Sequence, residues 1–146
     1  SPEYQLLKDV NDGNTHNVIR ALDRGVNQIA MGEKNVSPIA LAVYRGHANI
    51  ATELLRAGAD VNSRDEDGST PLISAVFFQQ YELLDILLQY GADVNAENKN
   101  GNRAIHFAVS QDNSNVVRKL LNQGVDTNIS DRFGSLSGKN DRLLNK

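Results

Sequence analysis

Gly25, Gly58, Gly91 and Gly124 recur at a spacing of 33 residues, and a strict period of that length dictates a fold made by stacking copies of one small unit. The same register carries Leu22, Leu55, Leu88 and Leu121, with Leu54, Leu87 and Leu120 before the last three, and it aligns Ala42, Ala75 and Ala108. Ser37-Pro38 falls one period before Thr70-Pro71. Two stretches repeat almost word for word, Ala57-Gly58-Ala59-Asp60-Val61-Asn62 and Tyr90-Gly91-Ala92-Asp93-Val94-Asn95, and Gln123-Gly124-Val125-Asp126-Thr127-Asn128 is a weaker copy.

Each repeated residue has a local physical role. A hydroxyl followed by proline supplies an N-cap acceptor and a first helical residue with no N–H to satisfy, so Ser37-Pro38 and Thr70-Pro71 predict helix starts. The alanines fall mid-helix, where a small side chain lets neighbouring helices approach. A second helix in each unit carries a broad apolar face: Ile50, Ala51, Leu54, Leu55; then Leu83, Leu84, Leu87, Leu88; then Val116, Val117, Leu120, Leu121. The periodic glycine just beyond it supplies a left-handed terminator. Gly68 and Gly101 mark turns that need a positive φ before the next helix. Arg103-Ala104 stands where Ser-Pro and Thr-Pro stand in the earlier units, so that helix start is expected to lose its cap and fray.

On these residues the chain resembles the ankyrin-repeat family, over roughly residues 5–133. The resemblance implies an all-α solenoid of stacked helix-turn-helix units with short β-turn fingers. Residues 1–134 form the repeat domain, with an N-terminal capping helix pair at 3–27 and full repeats at 32–64, 65–97 and 98–130. Residues 135–146 are a tail or a truncated capping helix. Departures collect at the ends: Asn17 and Ala21 occupy the register of Ile50 and Leu54. No unit can bury its own apolar face, so stability is expected to be a sum of neighbour interfaces.

Composition narrows the function classes. Fifteen Lys and Arg against eighteen Asp and Glu give a net charge of −3, the wrong sign for wrapping nucleic acid. No apolar run approaches the ~20 residues of a membrane span, so no membrane insertion is expected. Without cysteine there is no disulfide, thiolate nucleophile or Cys-ligated zinc. His16, His47 and His106 lack metal-ligand spacing and are read as structural. Ser63, Asp65, Asp67 and Gly68 mimic half a calcium loop, but the twelfth position is Ser74, inside a predicted helix. The glycine–serine stretch at 134–138 has Leu136 where a nucleophile elbow needs serine. No catalytic residue, metal site or cofactor is therefore predicted, and the chain is not expected to be an enzyme.

The family resemblance implies that a protein partner is held on a concave face made of turn tips and the exposed side of each first helix. Carried over by register, those positions are Glu33, Lys34, Val36, Tyr44 and Arg45; Glu66, Asp67, Ser69, Phe77, Phe78 and Tyr90; and Lys99, Asn100, Asn102, Ser110, Gln111 and Gln123. Of eight Phe and Tyr residues in the chain, Tyr44, Phe77, Phe78 and Tyr90 fall here, where exposed aromatics serve as interface anchors. Phe77 or Phe78 turning into the core is the competing reading. Residues 53–97 carry a local net charge of −7 and residues 99–146 one of +4, an asymmetry that orients a partner.

The expected function is a non-catalytic binding module, monomeric when free, that engages one protein partner. The reading extends to a stoichiometric inhibitor or immunity-type protein neutralising a bacterial toxin or effector enzyme. The alternatives are an adaptor or regulatory domain of a larger signalling protein, and a secreted effector binding host proteins. Ser1 in place of an initiating Met fits removal of a leader, lipid-attachment segment or flanking domain. The expected address is accordingly the cytoplasm or, after leader removal, the bacterial periplasm.

Overall fold

The computed structural model describes residues 1–125 and the backbone of two short strands at Ser130–Asp131 and Gly134–Ser135. Eight helices are described: α1 (Pro2–Asp12), α2 (Thr15–Asp23), α3 (Pro38–Arg45), α4 (Ala48–Arg56), α5 (Pro71–Phe77), α6 (Tyr81–Gln89), α7 (Ala104–Ser110) and α8 (Ser114–Asn122). The odd-numbered helices pack side by side in one layer, and α2, α4 and α6 pack likewise in a second. The strands, β1 and β2, pair antiparallel, Ser130 opposite Ser135. The sequence copy at 126–128 and the tail from Leu136 lie outside the described residues.

The helix starts follow the sequence chemistry. Ser37 Oγ accepts the Ala40 N–H at 3.2 Å and Thr70 Oγ1 that of Ile73 at 3.3 Å, each with proline as the first helical residue. The expected fraying at Arg103-Ala104 does not occur. His106, buried on the first turn of α7, turns back so that its Nδ1 accepts the Arg103 N–H at 2.8 Å, and the side chain supplies from inside the helix what a hydroxyl supplies from outside. Arg103 is itself buried, its guanidinium donating to Asn95 Oδ1 at 2.9 Å and lying 3.4 Å from Glu97 Oε1, which ties α7 to the preceding loop. His106→Ala should therefore cost at least ~1–3 kcal/mol of stability in chemical denaturation, because it strands a buried donor.

A second ladder of left-handed residues ends the first helix of each unit. Gly13 and Gly46 take φ of 75° and 72°, and one and two periods on, Gln79 and Asp112 hold 58° and 54° without being glycine. A side chain in that region is strained by roughly 1–2 kcal/mol. Gln79→Gly should thus raise stability by about 1 kcal/mol, read as a higher denaturation midpoint at unchanged slope.

Burial is shared by the two layers: Ile39, Val43, Leu72, Ile73, Val76, Ile105 and Val109 on the first helices are buried with the second-helix faces, and Ala42, Ala75 and Ala108 are fully buried between them. The fourth position of each stripe is weaker than expected, since Leu55 is buried but Leu88 and Leu121 are only partly so, as is Leu22. The stripe wraps past the edge of the interface there, and Leu87 sits at its centre. At the N-terminal end Asn17 is exposed and reaches back to Asp9, whose Oδ1 also accepts from Gln5 and Asn14 at 3.3 Å. An amide thus stands at Asn17 where the later units carry the apolar Ile50, Leu83 and Val116.

Candidate functional site

Adjacent turn fingers are joined by backbone bonds, Glu66 N–H to Lys34 O at 2.9 Å and Lys99 N–H to Asp67 O at 3.0 Å. Within each finger an Asx side chain organises the turn: Asp65 Oδ1 accepts the N–H groups of Asp67 and Ser69, and Asn98 Oδ1 those of Asn100 and Asn102. These bonds hold the tips Glu33-Lys34, Glu66-Asp67 and Lys99-Asn100 in a row, all exposed.

Between the fingers and the first-helix layer lies a groove of about 350 Å³, lined among others by Tyr44, Asp67, Phe77, Phe78, Asn100 and Phe107. Its rings touch in sequence, edge to face. Tyr44 meets Phe78 with centroids 5.6 Å apart, Phe78 meets Phe77 at 5.0 Å, and Phe77 meets Phe107 at 5.3 Å. The register explains the row. Tyr44 and Phe77 share one position of the 33-residue period, Arg45, Phe78 and Gln111 share the next, and Phe107 lies one turn before Ser110 on the same helix. Phe77 and Phe78 are each 51% exposed, so neither is a core residue.

Tyr44 is fixed by its hydroxyl, which donates to Asp65 Oδ2 at 2.6 Å. Burial and this bond to a carboxylate push the phenol up to about 12, with the charges of Asp65 and Asp67 adding to the effect and Ser74 opposing it. The folded chain favours the neutral phenol. The resulting stability is present below the free phenol's value of about 10 and is lost as pH rises from there through about 12. In an alkaline absorbance titration of the four tyrosines, a late phase near 12 should therefore be seen, and Tyr44→Phe should remove it.

Several expected contact residues stand elsewhere. Asn102 is only 6% exposed and Val36 is buried likewise, so neither side chain stands on the exposed face where register placed it. Tyr90 is exposed but sits at the end of α6, which runs back from the groove, ~13 Å along a helix of nine residues. Among the described residues no ring contact links it to the row. Gln111 lies at the groove's edge, its amide donating to the Val76 and Phe77 carbonyls at 3.1 and 3.3 Å. Ser69 is half-buried in its finger, whereas Arg45, Ser110 and Gln123 are exposed. Phe107 was not among the expected residues; it lies one period after Ser74 and two after Leu41, a column whose changing chemistry is itself the signal.

A second hollow of about 510 Å³ adjoins through Tyr44 and brings in Lys8, Glu33, Lys34 and Arg45. Among the described residues no group of three or more acidic or histidine side chains could hold a metal ion, and no helix is long and apolar enough to cross a membrane.

The family model of ankyrin repeats (3 copies) matches residues 6–98 and 39–131. The chain belongs to the ankyrin-repeat family. Ankyrin repeats indicate a protein–protein interaction module, and the family is typically a non-catalytic binding scaffold. The chain is similar to the ankyrin repeat-containing protein P1E11.10 of Schizosaccharomyces pombe, with 40% identity over 57 residues, which is 39% of this chain and 28% of that protein. The matched part thus spans well under a third of this relative's length.

Proposed function

We propose that this ankyrin array is a non-catalytic module that binds one protein partner through its concave groove, and that it acts by covering the partner's surface. The observation that carries this reading is the row of four rings across three units, two of them half-exposed, on the side where the fingers project. A water-facing aromatic row loses little entropy and gains a large buried area when a partner seats on it. Glu33, Lys34, Glu66, Asp67, Lys99 and Asn100 form the polar rim. Covering a functional surface is how a stoichiometric inhibitor works, an immunity-type protein against an effector enzyme being one case; an adaptor uses the same contact without blocking activity.

Affinity capture from source cells, run in parallel with the array and with its Phe77→Ala/Phe78→Ala variant, tests the contact. A protein retained by the array and lost from the folded variant supports it; equal retention refutes it. Titrating the array against the captured protein's own activity then separates the modes. Full loss of activity at equal amounts favours an inhibitor, and several unrelated, unaffected signalling proteins favour an adaptor.

A further inference from the structure

The charges around the groove are divided unevenly. On the second finger Glu66 and Asp67 are both exposed, and among the described residues neither carboxylate has a hydrogen-bond or ion-pair partner. Asp65 is committed to its turn and to Tyr44, which leaves Asp67 unneutralised in the groove with the half-exposed Phe77 and Phe78, and Glu66 next to it on the exposed finger tip. Lys8, Lys34 and Arg45 lie around the adjoining hollow and Lys99 on the third finger, while Arg64, at the base of the second finger, turns its guanidinium to the Gly68 and Glu97 carbonyls. A cation entering this surface is repelled from both flanks and held at the centre.

Resting on the concave-face reading, we propose that the centre of the groove recognises an arginine side chain in an extended segment of the partner protein, its guanidinium over the Phe77–Phe78 rings and its N–H fork on the Asp67 and Glu66 carboxylates. Arginine fits better than lysine because the site offers both a ring surface and carboxylates. A planar guanidinium stacks on one and pairs in two-pronged fashion with the other, whereas an ammonium is a strongly hydrated point charge. An acidic or neutral side chain gains nothing at this position and leaves the carboxylates without a partner.

The test uses four bead-bound libraries of random octapeptides that differ in one fixed central residue: arginine, lysine, citrulline or glutamate. Citrulline keeps the planar shape of arginine without its charge. The arginine library should retain the array at least about tenfold more than the citrulline library, with lysine between them. Glu66→Gln/Asp67→Asn should abolish that preference in a protein whose unfolding curve is unchanged. Glu53→Gln/Glu82→Gln, which removes the same charge from the outer helices, should leave it intact.

Equal retention on arginine and citrulline overturns the proposal, as does a preference that survives neutralisation of Glu66 and Asp67, or binding to none of the libraries. The Phe77→Ala/Phe78→Ala variant keeps this failure distinct from that of the concave-face reading. Retention that needs the two rings but ignores the central residue removes arginine and preserves the groove. Retention that ignores the rings removes both.

Discussion

Leu87→Ala is expected to lower the unfolding free energy by ~2–5 kcal/mol, and Leu88→Ala, one residue on, by clearly less. Leu87 is fully buried at the middle of the α6 face, where α4 and α5 pack against it, so truncation leaves a hole that rigid helices on both sides cannot close. Leu88 is partly exposed at the margin, and its cavity opens to water. Chemical denaturation of the two variants under one set of conditions checks the difference. Because each unit is held only by its neighbours, the loss at Leu87 also weakens both adjoining interfaces, and a second, non-coincident transition in the Leu87→Ala curve would show the array splitting at α6. Equal losses at the two leucines would contradict the burial pattern.

Replacing Phe77 and Phe78 together by alanine is expected to cost on the order of 2 kcal/mol or more in partner binding, about thirtyfold in affinity, expressed mainly as faster dissociation. Half of each ring already faces water, so the variant should stay folded and keep most of its stability. Reversing Glu66 and Asp67 to lysine should act differently. Exposed carboxylates steer the encounter, so the association rate falls and its dependence on salt weakens, while loss of their grip on a partner arginine quickens dissociation as well. Binding kinetics with the captured partner separate the two signatures. Unaltered dissociation in the folded double-alanine variant would place the contact away from the aromatic row.

The period and the cap residues made the architecture legible before any coordinates. Glycine, proline and hydroxyl side chains act within a few residues of themselves, so their meaning survives in one dimension. His106 shows the limit of that reading. Its neighbours lacked a hydroxyl–proline pair, and nothing local to the sequence says that an imidazole folds back to accept the Arg103 N–H. Gln79 and Asp112 show another, since a left-handed position imposed by register can be filled by a residue that does not prefer it.

At the groove, register alone placed Tyr44, Phe77 and Phe78 on the exposed side of the first helices. It misplaced Tyr90, which shares their exposure but belongs to the other end of α6. Asn102 was misread because register fixes a finger residue's place in the unit but not its burial. Phe107 was missed because its column holds Leu41 and Ser74 earlier in the chain, and only the assembled stack shows three different side chains sharing one wall.

The row of rings also has a mechanical meaning. Tyr44, the Phe77–Phe78 pair and Phe107 belong to three successive units, and the Tyr44–Phe78 and Phe77–Phe107 contacts each bridge a joint that the finger bonds also span. Flexing the solenoid at either joint must slide one ring off the next. A molecule seated along the row therefore acts as a splint: it spans both joints at once, and any bending there would have to break its own contacts along with the rings'.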